Sequence, residues 1–206
     1  MASRSPARNP GRPREFSIDA ALEAAISVFA QKGFEGTSLT DLTKAMGINK
    51  PSLYAAFGNK GALFQQALAR YCVAGEGHVA ECLSSETARE GVARMLQEIV
   101  TMFTGASGIG SCFVTQGPLT GPDVTEELQQ DFVFRREALQ RALTKRFRLA
   151  AQAGELPPTT VPRDLANYFA VLVQGIALQA QHGGTRKDLL RVVDVAMEGW
   201  PRHVVR

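Results

Sequence analysis

The stretch from Thr37 to Lys60, TSLTDLTKAMGINKPSLYAAFGNK, decides how the rest of the chain is read. Ser38 is placed to cap a helix, its side-chain oxygen accepting from free N–H groups of the first turn. Leu39, Leu42 and Ala45 recur at helical spacing and predict one buried face. Gly47 follows where the chain must stop sharply, and glycine adopts the left-handed backbone such a stop needs. Asn49 caps a second helix, and Pro51 fits its first turn, where a missing N–H loses nothing. Leu53 and Phe57, at i and i+4, turn inward and leave Lys50, Ser52 and Tyr54 outside. Two short helices about a tight turn, the second polar on its outer side, make a helix-turn-helix whose second helix is shaped for the DNA major groove.

Upstream, Ser17 to Lys32 predicts a helix capped by Ser17 and stopped by Gly33. Its stripe is Ile18, Leu22, Ala25, Ile26 and Phe29, and Phe34 wedges into the same core. Residues 1–14, MASRSPARNPGRPR, hold four arginines, three prolines and no apolar face. They read as a flexible basic arm, with Arg12 and Arg14 available to the minor groove or the DNA backbone. Downstream, a fourth helix starts at Lys60, with Leu63, Phe64, Ala67, Leu68 and Tyr71 facing in. Gly75 and Gly77 are expected to break or kink it, because glycine costs a helix about 1 kcal/mol relative to alanine. A domain boundary is therefore placed near residue 75.

Over residues 14–71 the chain resembles the DNA-binding domain of the tetracycline-repressor (TetR) family. The resemblance is carried by FSIDAALEAAISVFAQKGFEGTSLTDLTKAMGINKPSLYAAF and GNKGALFQQAL. The family's Gly-aromatic pair and following Thr are matched by Gly33, Phe34 and Thr37. Its turn before helix three is matched by Met46, Gly47 and Ile48, its Leu-Tyr-x-x-Phe run by Leu53, Tyr54 and Phe57, and its opening Lys of helix four by Lys60. The chain departs from the pattern at Ala55 and Ala56, often polar in the family, and at Gly61, where Glu is common. The resemblance implies an all-α fold of about nine helices, with a three-helix head on a larger body that binds a ligand and forms a homodimer through a hairpin of helices eight and nine. It implies DNA contacts from Thr37, Ser38, Asn49, Lys50, Pro51, Ser52, Tyr54 and Lys60, with Tyr54 and Lys60 directed to phosphate.

The remainder reads as this body, residues 75–206, following a head of residues 15–74. Thr87-Ala-Arg-Glu90 is a capping box, and Val92, Met95, Leu96, Ile99 and Phe103 follow at helical spacing until Gly105. Residues 105–123 are rich in Gly, Pro, Ser and Thr and predict a loop with at most a short helix. One long helix is expected from about Asp123 to Ala153, with Leu128, Phe132, Leu143 and Phe147 inside and Arg135, Arg136, Arg141, Lys145, Arg146 and Arg148 on a solvated face. A break at 153–162 precedes a helix over Pro162–Gln181, apolar on more than one face as a helix buried against a second chain would be. Thr185 and Asp188 start the last helix, which carries Leu189, Val192, Val193, Ala196, Met197 and Trp200.

Charge follows the same division. Residues 1–72 carry nine Lys/Arg against five Asp/Glu, and the remainder fourteen against fifteen, so a head of net +4 stands on a body of net −1. A basic head suits phosphate. No apolar run approaches the roughly 18 residues of a membrane span, and the N-terminus lacks an apolar signal segment, which predicts a cytoplasmic protein without a membrane partner. Cys72, Cys82 and Cys112 form no CxxC pair, and His78, His182 and His203 are read as standing outside metal-ligand spacing, so neither metal nor cofactor is expected. No nucleophile–base motif, paired carboxylates or phosphate loop points to an enzyme.

The expected function is a DNA-binding transcriptional regulator, a ligand-responsive repressor of a palindromic duplex operator that a small molecule releases. Its pocket is expected between the fifth helix, the 105–122 loop, the 123–153 helix and the 162–181 helix. Met95, Phe103, Cys112, Phe113, Phe132, Tyr168, Leu172 and Gln174 are its candidate lining, with Tyr168 and Gln174 as polar anchors. The alternative is a redox or electrophile sensor of the same fold, triggered through Cys112.

Overall fold

The computed structural model describes residues 17–105, 113–115 and 119–203. The basic arm and Cys112 lie outside the described residues. Among those described there are nine α-helices and one 3-10 turn. They are α1 (Ile18–Gly36), α2 (Leu39–Met46), α3 (Lys50–Phe57), α4 (Lys60–Leu83), α5 (Ala88–Thr104), the 3-10 turn (Phe113–Thr115), α6 (Glu126–Arg136), α7 (Ala138–Gln152), α8 (Pro162–Gln181) and α9 (Arg186–Glu198).

The helices begin where side chains can satisfy their free N–H groups. Ser17, Ser38, Asn49, Asn59, Thr87, Thr125 and Thr185 each accept from a backbone N–H of the following turn. Gly33, at φ 73, breaks the helical path of α1 and turns Phe34 into the core. Two expected core positions are corrected. Ile18 is 52% exposed, because it precedes Ala21, where burial of α1 begins. Ala45 is exposed, and the inner edge of α2 is instead Leu39, Leu42 and Met46.

The expected break at Gly75 and Gly77 is also corrected: α4 runs unbroken for 24 residues, or about 36 Å at 1.5 Å per residue. Its two ends are held by different partners. At the head end Arg70 donates to Asp19 and Glu23 of α1 at 2.7 and 2.6 Å. At the body end Arg94 of α5 donates to Glu81 at 2.7 Å. Packing at both ends outweighs the intrinsic cost of two exposed glycines.

Two hydrophobic clusters result. The body cluster lies between α5, α7, α8 and α9 and centres on Phe147, Phe169 and Trp200, whose rings are 5.7–6.1 Å apart. The head cluster holds α1, α2, α3 and the start of α4, but it also holds Phe113, Leu119, Leu128 and Phe132 from later in the chain. Phe64 of α4 meets Phe29 and Phe34 edge-on and stacks on Phe113, with centroids 4.9–5.1 Å apart.

This arrangement explains why the single helix expected from Asp123 to Ala153 is in fact two. A turn at Glu137, still in the right-handed region (φ −87, ψ −4), separates α6, which serves the head cluster, from α7, which serves the body cluster. Arg141 closes the turn by donating to the Phe134 carbonyl at 2.6 Å, its guanidinium 4.0 Å from the Phe134 ring centroid. The expected solvated basic face is likewise corrected at Arg146. Its largely buried side chain donates to the carbonyls of Leu83 and Glu86 and pairs with Glu155, and Glu155 in turn accepts from the Ala88 N–H at the start of α5.

Gly61 shows how closely the segment before α6 approaches α4. A Cβ at this position would fall on the Asp123 carbonyl oxygen. Gly61→Ala is therefore expected to cost about 1–3 kcal/mol through overpacking. At Gly75 an added Cβ meets nothing within 4 Å, so Gly75→Ala should stabilise by about 0.5–1 kcal/mol. Urea unfolding of the two variants checks both signs.

Candidate nucleic-acid interface

The reading surface is built by α2, its turn and α3. Ser38 and Asp41 cap α2 reciprocally: the Asp41 N–H donates to Ser38 Oγ at 3.1 Å, and the Ser38 N–H to Asp41 Oδ2 at 3.0 Å. Gly47 closes the helix at φ 67, ψ 29, and the Ile48 N–H returns to the Thr43 carbonyl at 3.0 Å. Asn49 Oδ1 accepts from the Ser52 N–H at 2.8 Å and starts α3. Leu53 and Phe57 are buried, which leaves Lys50, Pro51, Ser52, Tyr54, Ala55 and Ala56 on the outside of an eight-residue helix. Tyr54 is half exposed.

Of the expected contact residues, Asn49, Lys50, Pro51, Ser52 and Tyr54 thus share the exposed turn and helix. Ser38 is exposed too, with its hydroxyl engaged by Asp41 at 2.7 Å. Thr37 and Lys60 are engaged within the head itself. Thr37 is 2% exposed, and its hydroxyl donates to the Gly33 carbonyl at 2.6 Å. Lys60 Nζ donates to the Thr37 carbonyl at 3.0 Å and lies 4.3 Å from the Phe34 ring centroid. The two act as struts that join the end of α1 to the start of α4. Beneath them, Lys32 Nζ donates to Asp41 Oδ1 at 2.6 Å. That ammonium, followed by the Ser38 hydroxyl and N–H, holds the Asp41 carboxyl well below the usual carboxylate range.

Among the described residues, the candidate pocket lining is divided between the two clusters and the surface of α8. Met95 and Phe103 are buried in the body cluster, whereas Phe113 and Phe132 are buried in the head cluster. Leu172 is half-buried on α8. Tyr168 and Gln174, expected as polar anchors, are exposed on α8. An open cleft of about 300 Å³ lies between α8 and α9, lined by Tyr168, Leu172, Arg191, Val192, Val195 and Ala196.

One histidine stands in a mixed cluster of side chains. His78 and Cys82 stand four apart on α4, one turn, and α5 brings Glu98 beside them. The i, i+4 spacing was visible in the sequence. The third member was not, because the pairing of α4 with α5 supplies it.

An all-helical chain that presents a capped, exposed helix from a helix-turn-helix is a DNA-binding transcriptional regulator. The family pattern for bacterial regulatory proteins of the tetR family matches residues 21–67. The chain is 33% identical over 205 residues to the HTH-type transcriptional repressor ComR of Escherichia coli K12, covering 96% of this chain and 95% of ComR. It is 36% identical over 118 residues to the repressor BdcR of the same organism, covering 57% and 60%. A solved cysteine mutant of the TetR family regulator CifR, complexed with 26-base-pair operator DNA, is 39% identical and superposes with a TM-score of 0.84 over 92% of this chain and 100% of that one. The chain belongs to the TetR family. Among the described residues, no helix is long and apolar enough to cross a membrane.

Replacing Lys60 removes a charge-assisted bond and a cation–π contact from a half-buried site. Lys60→Ala should destabilise the fold by about 1–3 kcal/mol, read by thermal unfolding without DNA. Because the Asp41 pKa is depressed in the fold, its contribution is present above the unfolded value of about 3.9 and lost as the pH falls below it. Asp41→Asn should therefore flatten the acid limb of stability against pH, measured by urea unfolding from neutral pH downward.

Proposed function

We propose that this chain is a repressor that binds a palindromic operator as a homodimer and leaves it when a small molecule binds the body. The observation that carries the reading is the outer face of α3, where Lys50, Ser52 and Tyr54 stand exposed on a helix fixed by Asn49 and by buried Leu53 and Phe57. ComR is named a repressor, and CifR was solved on operator DNA. Lys50 suits guanine O6 and N7, and the Tyr54 hydroxyl suits phosphate. Exposed Ala55 and Ala56 let α3 sit deep, and their methyl groups suit the thymine methyl. Such a protein works where the DNA is, in the cytoplasm.

The dimer face is argued from the exposed apolar residues. Tyr168, Val171 and Leu178 on α8, and Val192 and Val195 on α9, are 42–68% exposed. Their spacing gives one stripe on each helix of the hairpin, as expected of a surface a second copy covers. Two reading helices must then lie about 34–36 Å apart to enter successive major grooves.

The effector reading rests on the junction between clusters. An apolar, uncharged molecule against α5, the 105–122 segment, α6–α7 and α8 would meet Met95 and Phe103 on one side. It would act through Phe113, Leu119 and Phe132, which are packed on the head. An ionised molecule fits poorly, since these inner faces carry few charges to pair with it. Its preference for one spacing of the heads sets how far it shifts DNA binding.

Operator sequences selected from a random duplex pool provide the test. Tyr54→Phe should weaken binding to all of them alike, by about 1 kcal/mol. Lys50→Ala should relax preference at one position per half-site by about 1–3 kcal/mol. Val195→Asp should give monomers by sedimentation and lose operator binding. A wild-type monomer at micromolar concentration, or a changed base preference in Tyr54→Phe, overturns the corresponding assignment.

A further inference from the structure

The hairpin of α4 and α5 gathers three unlike donors at one point. His78 Nε2 lies 2.6 Å from Glu98 Oε2, and the Cys82 thiol donates to the same oxygen at 3.4 Å. One donor atom from each residue lies within 4.8 Å of the other two. We propose that His78, Cys82 and Glu98 form a binding site for a divalent transition-metal cation of the zinc class, which ties α4 to α5. An imidazole nitrogen, a thiolate sulfur and a carboxylate oxygen are the donor types zinc takes, and three protein donors leave one position for water.

The surroundings favour a cation at this point. Gly91, two helical turns before Glu98, lets the helices close on each other: a Cβ there would lie 2.8 Å from the Cys82 carbonyl oxygen. Arg94 donates to Glu98 Oε1 at 2.8 Å and to Glu81 at 2.7 Å. This holds the carboxylate ionised and turns Oε2 toward His78 and Cys82, as a supporting shell orients a metal ligand. With Cys82 as thiolate, the charges of Glu81, Glu98, Cys82 and Arg94 together balance a divalent ion. Without one, burial and then the bond and charge of Glu98 push the Cys82 thiol up to about 11. Binding must therefore release the thiol proton to solvent, and the imidazole must carry its proton on Nδ1. His78 is exposed and Glu98 partly so, which gives an ion a path from solvent to the buried sulfur and makes the site one that exchanges.

A structural reading of the same residues is a surface ion-pair network lying over a buried thiol, and cobalt distinguishes the two. The full-length protein, reduced and stripped of metal, is titrated with Co²⁺, whose thiolate charge-transfer absorption reports a Co–S bond. The wild type should bind one equivalent per chain, release protons and show the band. Cys82→Ser should lose the band. His78→Ala and Glu98→Gln should weaken binding at least tenfold. Cys72→Ser and Cys112→Ser should keep both the band and the affinity. Zinc should raise the thermal midpoint of the wild type but not of Cys82→Ser, with circular dichroism confirming that each variant is folded. Absence of the band in the wild type, its persistence in Cys82→Ser, or unchanged affinity in His78→Ala overturns the site. None of these readouts needs operator or small molecule, so the result stands apart from the proposed repression.

Discussion

Phe64 is the residue on which the arrangement of this protein turns. It belongs to α4, yet its ring is enclosed by Phe29 and Phe34 from α1 and by Phe113 from the 3-10 turn, with Phe132 of α6 at 6.2 Å. Ring pairs of this kind contribute about 0.5–1.5 kcal/mol each beyond the area they bury. The larger effect is topological. A head of one 19-residue helix and two of eight residues is too small for a substantial core of its own. It completes that core with Phe113, Leu119, Leu128 and Phe132 from the middle of the chain, so its packing depends on where these side chains sit.

The second constraint is α4, which passes from one cluster to the other without interruption. Its first half is fixed by Phe64 and Leu68 in the head and its last turn by Cys82 and Leu83 in the body. Arg146 and Glu155 secure the turn between α4 and α5 from below, satisfying two carbonyls and one N–H that would otherwise be left at the helix ends. The body is joined to the head in two ways, along α4 and through the packing of Phe113, Leu119, Leu128 and Phe132. Packed contacts of this kind are not freely deformable.

Much of this was legible in the sequence, and the legible part is local. Caps and stops depend on a few neighbouring residues, so Ser17, Gly33, Ser38, Gly47, Asn49, Thr87, Gly105 and Thr185 were placed where the structure has them. The exposed face of α3 followed from Leu53 and Phe57 alone. What failed was non-local. Helix propensity weighed against Gly75 and Gly77, but partners on either side of the two glycines kept α4 continuous. No glycine or proline marks the turn at Glu137, whose two flanks pack on different clusters. The partners of Thr37 and Lys60 within the head, Gly33 for the first and Phe34 and Thr37 for the second, were not legible either. Glu98 could not be joined to His78 and Cys82 without knowing that α5 folds back on α4.

The contact at Gly61 limits how this protein can be recombined with its relatives. The side-chain space at this position is filled by the backbone of Asp123, so a head carrying the family's more usual Glu there has no place for that side chain against this body. A chimera joined near residue 75 would also strand Phe113, Leu119, Leu128 and Phe132 against a foreign α1. As a packing unit the head is therefore discontinuous: residues 17–70 travel together with Phe113, Leu119, Leu128 and Phe132, or the outer face of α3 is exchanged alone and the packing beneath it is left untouched.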